Sequence, residues 1–223
     1  MTRIRFQQSL EDLKENLLIM AGLAEQAIQR AIEAYRVRDL SICDLVSRSE
    51  IAINRMERDI DQAALDLLAM EQPMAIDLRF ILAVIKINGD LERIGDQSMS
   101  IARRTKDTLT AEDVELPVDF VAMGEFAAQM IRNALQALLD GDARLADSVR
   151  EMDDEIDRMN RRAHSDLLKL IEEKPQFTQQ AMNGILVAKN LERIADHSSN
   201  IATDVIFWVR GADVRHQLSM AMD

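Results

Sequence analysis

One stretch of sequence occurs twice in this chain, as LERIGD at Leu91–Asp96 and as LERIAD at Leu191–Asp196. The match continues past each aspartate, with a serine two residues later and an Ile-Ala pair shortly after it. A charged hexapeptide that recurs in the same surroundings predicts two copies of one structural unit. In each copy, a glutamate and an aspartate four residues apart would share one face of a helix.

The composition favours long helices and excludes several classes of protein. The 223 residues include only 7 glycines and 3 prolines, and 48% of them are hydrophobic. The net charge of −12 argues against a nucleic-acid binder, which needs a basic face to displace counterions. The single cysteine, Cys43, cannot form an internal disulfide, and no apolar run is long enough to span a bilayer. We therefore expect a cytoplasmic protein that meets a membrane only through a partner.

Hydrophobic residues spaced three and four apart predict three long helices in each unit. In the first unit we expect helices to about Arg38, over about 40–70 and over about 73–106, with Leu45, Leu78 and Leu82 among the core candidates. In the second unit we expect helices from about Val121 to Asp140, over about 142–173 and over about 175–210. Pro73 and Pro175 are predicted to open the third and sixth helices, because proline is tolerated in a first turn.

This pattern predicts an all-α fold of two tandem three-helix bundles, six long helices in total, related by internal duplication. The first unit is assigned to residues 1–107 and the second to 118–212. The polar stretch 108–117 is predicted to be a linker, and residues 213–223 a loosely held tail.

The second helix of each unit carries a polar stripe that could face the repeated carboxylates. The stripes hold Glu50, Asn54, Glu57 and Asp61 in the first unit, and Asp153, Asp157, Asn160 and His164 in the second. Asn88 and Asn200 are outer candidates. Converging oxygen atoms suit hard cations such as Mg²⁺, Ca²⁺ or Mn²⁺, and also iron. Zinc is a further candidate, although the ligands for a Cys/His structural zinc site are missing.

The predicted metal ligands form one set in each unit. The first set is Glu50, Asn54, Glu92 and Asp96, and the second is Asp153, Asp157, Glu192 and Asp196. Acidic residues on a helix are more often simply solvated, with Arg93 and Arg193 as nearby partners. The duplication of both stripes favours metal binding over that interpretation.

No catalytic set accompanies these carboxylates. The Glu-x-x-His pairs of di-iron bundles, glycine-rich phosphate loops and a supported Ser/His/Asp arrangement are all missing from the sequence. We therefore expect a protein that is not an enzyme. Two alternatives remain open: a metal-storage protein or metal-dependent enzyme, and a structural helical scaffold whose acidic stripes only provide solubility.

Taken together, these motifs resemble the PhoU family over nearly the whole chain. The resemblance rests on the two LERI-x-D copies, the acidic stripe on the preceding helix, the prolines before the third and sixth helices, and the closing stretch from Asn200 to His216. It implies two tandem three-helix bundles with pseudo-twofold symmetry and metal clusters on the bundle surface. Asn54 departs from the acidic pattern of the family, so the first site should hold a cation less firmly than the second.

The resemblance also implies a function. PhoU-like proteins are cytoplasmic adaptors, often homodimeric, that connect the phosphate ABC transporter with the PhoR sensor kinase. They act in phosphate signalling as negative regulators of the Pho regulon and of phosphate uptake. The expected partners are therefore the transporter ATPase subunit (PstB) and PhoR, with no nucleic acid.

Overall fold

The computed structural model describes residues 2–71, 73–109, 114–212 and 214 of the chain. These residues form six long helices, with one 3₁₀ turn before the last. The helices are α1 (Thr2–Val37), α2 (Leu40–Glu71), α3 (Ile76–Leu109), α4 (Phe120–Asp140), α5 (Ala143–Glu173) and α6 (Thr178–Arg210), and the turn is Pro175–Phe177. The predicted all-α fold with six helices is confirmed. Within the described ranges, no helix has the apolar length required to cross a membrane.

The hydrophobic seam of α1 packs this helix against three others. Its buried positions start with large side chains and continue with small ones: Leu10, Leu13, Leu17, Met20, Ala24, Ala27, Ala31 and Ala34. Small residues allow neighbouring helices to approach closely, and α1 packs against α2, α3 and α4. The alanines therefore place α1 where the two halves of the chain meet.

Short capped turns divide the first two helices of each unit. Gly141 adopts a left-handed conformation (φ 62°) after α4, and the Asp142 carboxylate accepts hydrogen bonds from the first backbone N–H groups of α5. The first unit uses the same device, with Arg38 at φ 55° and an Asp39 carboxylate that accepts from the Ser41 N–H. In both units, a left-handed residue therefore ends one helix and an aspartate caps the start of the next.

Two bundles result, and they meet along α3 and α6. Helices α1, α2 and α3 pack together, as do α4, α5 and α6, and the strongest contact between the bundles joins α3 to α6. These two helices run antiparallel, as shown by the contact of the Phe80 ring with Trp208 and, further along, the pairing of Asp90 with His197. We call this contact the central seam.

A second contact between the bundles joins α1 to α4 and depends on a glycine. A Cβ atom at Gly124 would lie 2.3 Å from Cδ1 of Ile32. The Ile32 side chain therefore occupies the space that any larger residue at position 124 would need.

The structure corrects several expectations about local structure. Pro73 does not open the third helix, because the chain first turns through Ala75 (φ 50°) and α3 begins at Ile76. The core candidates Leu45, Leu78 and Leu82 are 37–39% exposed, so they lie outside the buried seam. Pro175 opens the 3₁₀ turn Pro175–Phe177 and not the sixth helix, because α6 begins at Thr178.

The proposed domain boundaries are only partly covered by the described residues. Helix α3 continues through Leu109, two residues into the predicted linker 108–117. Residues 110–113 of that linker lie outside the described residues, as does the predicted tail 213–223 apart from residue 214.

Candidate metal centres

The second acidic cluster forms where α5 and α6 pack against each other. Oxygen atoms of Asp157, Glu192 and Asp196 lie within 4.8 Å of one another. Asp157 is on α5 and the other two are on α6, so the pairing of these helices creates the cluster. At an effective dielectric constant of 20, each pair of charges at this distance repels by roughly 3 kcal/mol.

Asp153 completes the second cluster one turn earlier on α5. Its carboxyl is half-buried, and its Oδ1 atom is enclosed without a hydrogen-bond partner. Burial raises the pKa of Asp153 to about 6, helped by the negative charges of Asp196 and Asp157. Burial and the charge of Glu192 also raise the pKa of Asp196. The protein holds these carboxylates together at an electrostatic cost.

Two basic side chains balance part of this charge. The Lys189 ammonium lies 2.6 Å from Oε1 and 2.5 Å from Oε2 of the nearly buried Glu192. Arg161 lies 3.3 Å from Oδ2 of Asp157. The side chains of Arg161 and Lys189 are 66% and 45% exposed, so neither is locked in place by surrounding protein.

The first cluster, between α2 and α3, is less acidic. The Asn54 amide donates to Oε1 of Glu50 at 2.8 Å, and its own Oδ1 is buried without a partner. Burial, then the charges of Asp96 and Glu57, raise the pKa of Glu92, while Arg93 opposes the rise. Among the residues that the structure describes, no group of three carboxylates as close as that of the second cluster forms here.

Several outer candidates lie away from the clusters. Asn88 is buried and donates to Oδ1 of Asp61, which ties α3 to α2. Asn200 instead reaches across the central seam to Asp90, at 3.4 Å. His164 is exposed and is not part of the carboxylate group on α5 and α6.

The donor set of both clusters fits a hard cation. All eight predicted ligands offer carboxylate or amide oxygens, the donors that Mg²⁺, Mn²⁺ and Ca²⁺ prefer. The enclosed Oδ1 atoms of Asn54 and Asp153 are unpaired acceptors that a cation would satisfy. The geometry therefore favours the second cluster as the stronger site, and metal binding at both stays a prediction.

Comparison with known proteins identifies the family of the chain. The family model described as the PhoU domain matches residues 17–105 and again 120–205. The chain belongs to the PhoU family. The two matches cover one bundle each, and they confirm both the internal duplication and the family resemblance.

PhoU relatives match almost the full length of the chain. It is 39% identical to the phosphate-specific transport system accessory protein PhoU homolog of Pseudomonas aeruginosa, over 95% of this chain and 88% of that protein. It is 31% identical to the Clostridium acetobutylicum protein of the same description, over 96% of this chain and 98% of the other.

Solved PhoU structures share this fold. The crystal structure of PhoU from Pseudomonas aeruginosa has a TM-score of 0.89 at 37% identity, over 93% of this chain and 100% of the other. The phosphate transport system regulatory protein PhoU from Streptococcus pneumoniae has a TM-score of 0.86 at 25% identity, over 94% and 99%. The predicted architecture of two tandem bundles is thereby confirmed.

Sequence reasoning did not find the polar contacts of the central seam. Lys86 pairs with Asp204 at 2.8 Å, and His197 pairs with Asp90 at 2.8 Å. Each pair joins residues more than one hundred positions apart. Only the antiparallel packing of α3 on α6 brings them together, and helical periodicity carries no signal for that packing.

Proposed function

We propose that this chain is an accessory and regulatory protein of phosphate transport. The observation that carries this proposal is the PhoU domain match over both bundles, together with relatives whose names describe accessory proteins of the phosphate-specific transport system. In this role the protein acts as a negative regulator that restrains phosphate uptake and the phosphate-starvation response when phosphate is plentiful. It acts as an adaptor and not as a catalyst.

The partners that fit this role are the ATPase subunit of the phosphate ABC transporter (PstB) and the PhoR sensor kinase. The chain carries a net charge of −12. The first carboxylate cluster has ligands on α3 and the second has ligands on α6, and these two helices pack against each other. Such a surface steers and selects basic partner surfaces. We place the protein in the cytoplasm as a homodimer that reaches the membrane through these partners.

The acidic clusters supply the proposed docking chemistry. Asp153, Asp157, Glu192 and Asp196 would hold a divalent cation or iron, and Glu50, Asn54, Glu92 and Asp96 would form the weaker site. A bound ion supplies positive charge and coordination positions that oxygen ligands of a partner can complete. Removal of the ion leaves a repulsive acidic surface, so metal occupancy would regulate docking.

Genetic complementation tests the regulatory role. Deletion of the gene in its host should raise phosphate uptake and phosphate-starvation reporter expression in phosphate-rich medium, and the intact chain should restore both to normal. An unchanged reporter and unchanged uptake in the deletion strain would contradict the proposed function.

A separate experiment tests the docking chemistry. Purified Glu192→Gln/Asp196→Asn protein should bind PstB and PhoR more weakly than the wild type in a pull-down. Glu172→Gln, at an exposed position on the last turn of α5, is the control for loss of a surface charge. Unchanged partner binding by the double variant would refute the assignment of the docking surface while leaving the regulatory role intact.

Thermal stability with and without metal, together with turnover assays, separates this proposal from its alternatives. Thermal melting in EDTA and with added Mg²⁺ or Mn²⁺ should show stabilisation by the metal, since an ion that binds only the folded state raises stability. No shift would support the structural scaffold. Turnover of phosphate esters or of oxidisable substrates by metal-loaded protein would support the enzyme alternative.

A further inference from the structure

Two clefts lie along the central seam, and internal duplication relates them to each other. One has a volume of about 690 Å³ and includes Lys86, Asp90, Arg93, Asn200 and Asp204 in its lining. The other has a volume of about 360 Å³ and includes the residues one hundred positions away from these: Leu186, Asn190, Arg193, Ser100 and Arg104. The antiparallel packing of α3 on α6 generates both, because each cleft combines one half of α3 with the opposite half of α6.

The two clefts have opposite charge. Five carboxylates line the larger cleft (Glu57, Asp90, Glu92, Asp153 and Asp204), against three permanently basic side chains (Lys86, Arg93 and Arg150). Three arginines line the smaller cleft, against Asp96 as the single carboxylate in its lining. The smaller cleft is thus locally positive in a chain whose net charge is −12. We call it the cationic cleft.

The basic groups of the larger cleft are already paired. Lys86 contacts Asp204 at 2.8 Å, and Arg93 lies 3.6 Å from Glu92. Asp90 accepts from Asn200 and pairs with His197 at 2.8 Å. The basic side chains of this cleft are therefore engaged within the protein, and the cleft has no surplus positive charge to offer a ligand.

The cationic cleft lacks the corresponding pairs. Among the described residues, neither Arg103 nor Arg193 has a carboxylate within 4.0 Å, and only Arg104 does, at 3.4 Å from Asp107. Asn190, which replaces the Asp90 of the other cleft, is only 8% exposed and has no hydrogen-bond partner within the described part of the chain. Its amide atoms are not enclosed by protein, so they are accessible from the cleft, which also contains two guanidinium groups with unused donors.

We infer that the cationic cleft binds a phosphate-like oxyanion. Arg103 and Arg193 would supply the charge and the forked donors that match phosphate oxygens, and the Asn190 amide would donate from the floor of the cleft. The volume suits a small anion or the phosphoryl group of a small ester, and it is too small for a folded partner. The inference rests on this cleft alone, so its failure would leave the proposed regulatory role unaffected.

Binding of inorganic phosphate to the purified full-length chain tests the inference. Titration calorimetry should be done in EDTA, so that phosphate held by a metal ion at the acidic clusters does not contribute, and at constant ionic strength. We expect saturable binding of one phosphate per chain. Adenosine monophosphate is then added as a competitor. Displacement of phosphate would identify a phosphate ester as a ligand, and no displacement would identify the free ion as the ligand. Either result supports the site.

Two matched substitutions locate the binding. Asn190→Asp gives the cationic cleft the aspartate that the larger cleft has at the equivalent position, Asp90, with almost no change in side-chain volume. It should weaken phosphate binding by at least about tenfold through charge repulsion. Asp90→Asn makes the reverse change in the larger cleft and should leave phosphate affinity within about twofold of wild type, because non-neighbouring sites act independently. Arg103→Gln/Arg193→Gln should also abolish binding, with circular dichroism to confirm folding.

Three results would overturn the inference. These are no saturable binding by the wild type at millimolar phosphate, equal binding by folded Asn190→Asp protein, and a gain of phosphate affinity in Asp90→Asn protein as large as the loss in Asn190→Asp protein. The last result would show that phosphate responds to the overall charge of the central seam and not to the cationic cleft.

Discussion

Asp153→Asn should stabilise the metal-free protein at neutral and alkaline pH. The Asp153 carboxyl has one enclosed oxygen without a partner and lies close to the charges of Asp196 and Asp157. An asparagine has almost the same shape, carries no charge and can donate to the neighbouring carboxylates. The first cluster already contains such an arrangement, in which the Asn54 amide donates to Glu50 at 2.8 Å.

The size of the effect follows from the raised pKa of Asp153. The folded-state pKa is about 6 against an ordinary value of 3.8. Each unit corresponds to 1.36 kcal/mol, which gives an upper bound of roughly 3 kcal/mol. Because the side chain is only half-buried and solvent screens part of the repulsion, we expect a gain of about 1–2 kcal/mol in the free energy of unfolding.

The sign of the pH dependence is fixed by the direction of the shift. Between about pH 4 and pH 6 the folded protein retains a proton on Asp153 that the unfolded chain has lost, so wild-type stability falls as the pH rises through this range. The raised pKa of Asp196 acts in the same direction. The Asp153→Asn protein should show a flatter profile, and its advantage should disappear near pH 4.

Urea unfolding in EDTA at pH 4.5, 6 and 8 measures this effect. Asp154→Asn is the matched control, because Asp154 is the exposed neighbour on α5 and carries the same charge. Equal stability of Asp153→Asn and wild type at pH 8, or an equal gain from Asp154→Asn, would refute the reasoning. Added Mn²⁺ should stabilise the wild type more than Asp153→Asn, which has lost one predicted ligand.

Three further substitutions test the remaining features. Asn54→Asp should give the first cluster the charge of the second, raising its affinity for Mn²⁺ in a titration while lowering stability in EDTA by about 1–2 kcal/mol, because Glu50 loses a donor and gains a repulsive neighbour. Gly124→Ala should lower the free energy of unfolding by about 1–2 kcal/mol in urea, since its Cβ would overlap Ile32. Asp142→Ala should lower the thermal midpoint by roughly 2–4 °C, because two N–H groups at the start of α5 lose their acceptor.

Each of these has a matched control. Asn16→Asp adds the same charge at an exposed position of α1, and a Mn²⁺ affinity equal to that of Asn54→Asp would contradict the site. Gly22→Ala adds a methyl group where no atom lies within 4 Å, so it should be stabilising, and a gain of stability in Gly124→Ala as well would contradict the tight α1–α4 contact. Asp140→Ala removes an exposed carboxylate that caps no helix, and an equal loss there would contradict the capping role of Asp142.

Sequence alone predicted most of the fold, because helical periodicity and the repeated hexapeptide are local signals. The six helices and both carboxylate pairs follow from them, and the structure places Asp157, Glu192 and Asp196 within one small group as expected. The predicted start of the third helix, at Pro73, was wrong by three residues, because α3 begins at Ile76. Proline permits a helix to begin but does not require it, and the left-handed Ala75 that delays α3 has no signature in the residue type.

Features that depend on the packing of one bundle on the other could not be predicted. Leu45 and Leu82 fit the hydrophobic spacing, yet the observed helix rotation leaves them at the surface. The cationic cleft was equally hidden, because Arg103 and Arg193 become neighbours only when α3 and α6 run antiparallel.

The antiparallel central seam has a consequence for the ancestry of such a chain. Neither bundle contains a complete cleft, since each cleft takes residues from both copies of the repeat. Two identical bundles associated in this way would form two identical clefts, and any substitution would alter both at once. Joining the copies in one polypeptide removes that constraint. In this chain one cleft holds Asp90 and Asp204, which pair with His197 and Lys86, while the other holds Asn190 and Arg104 at the equivalent positions.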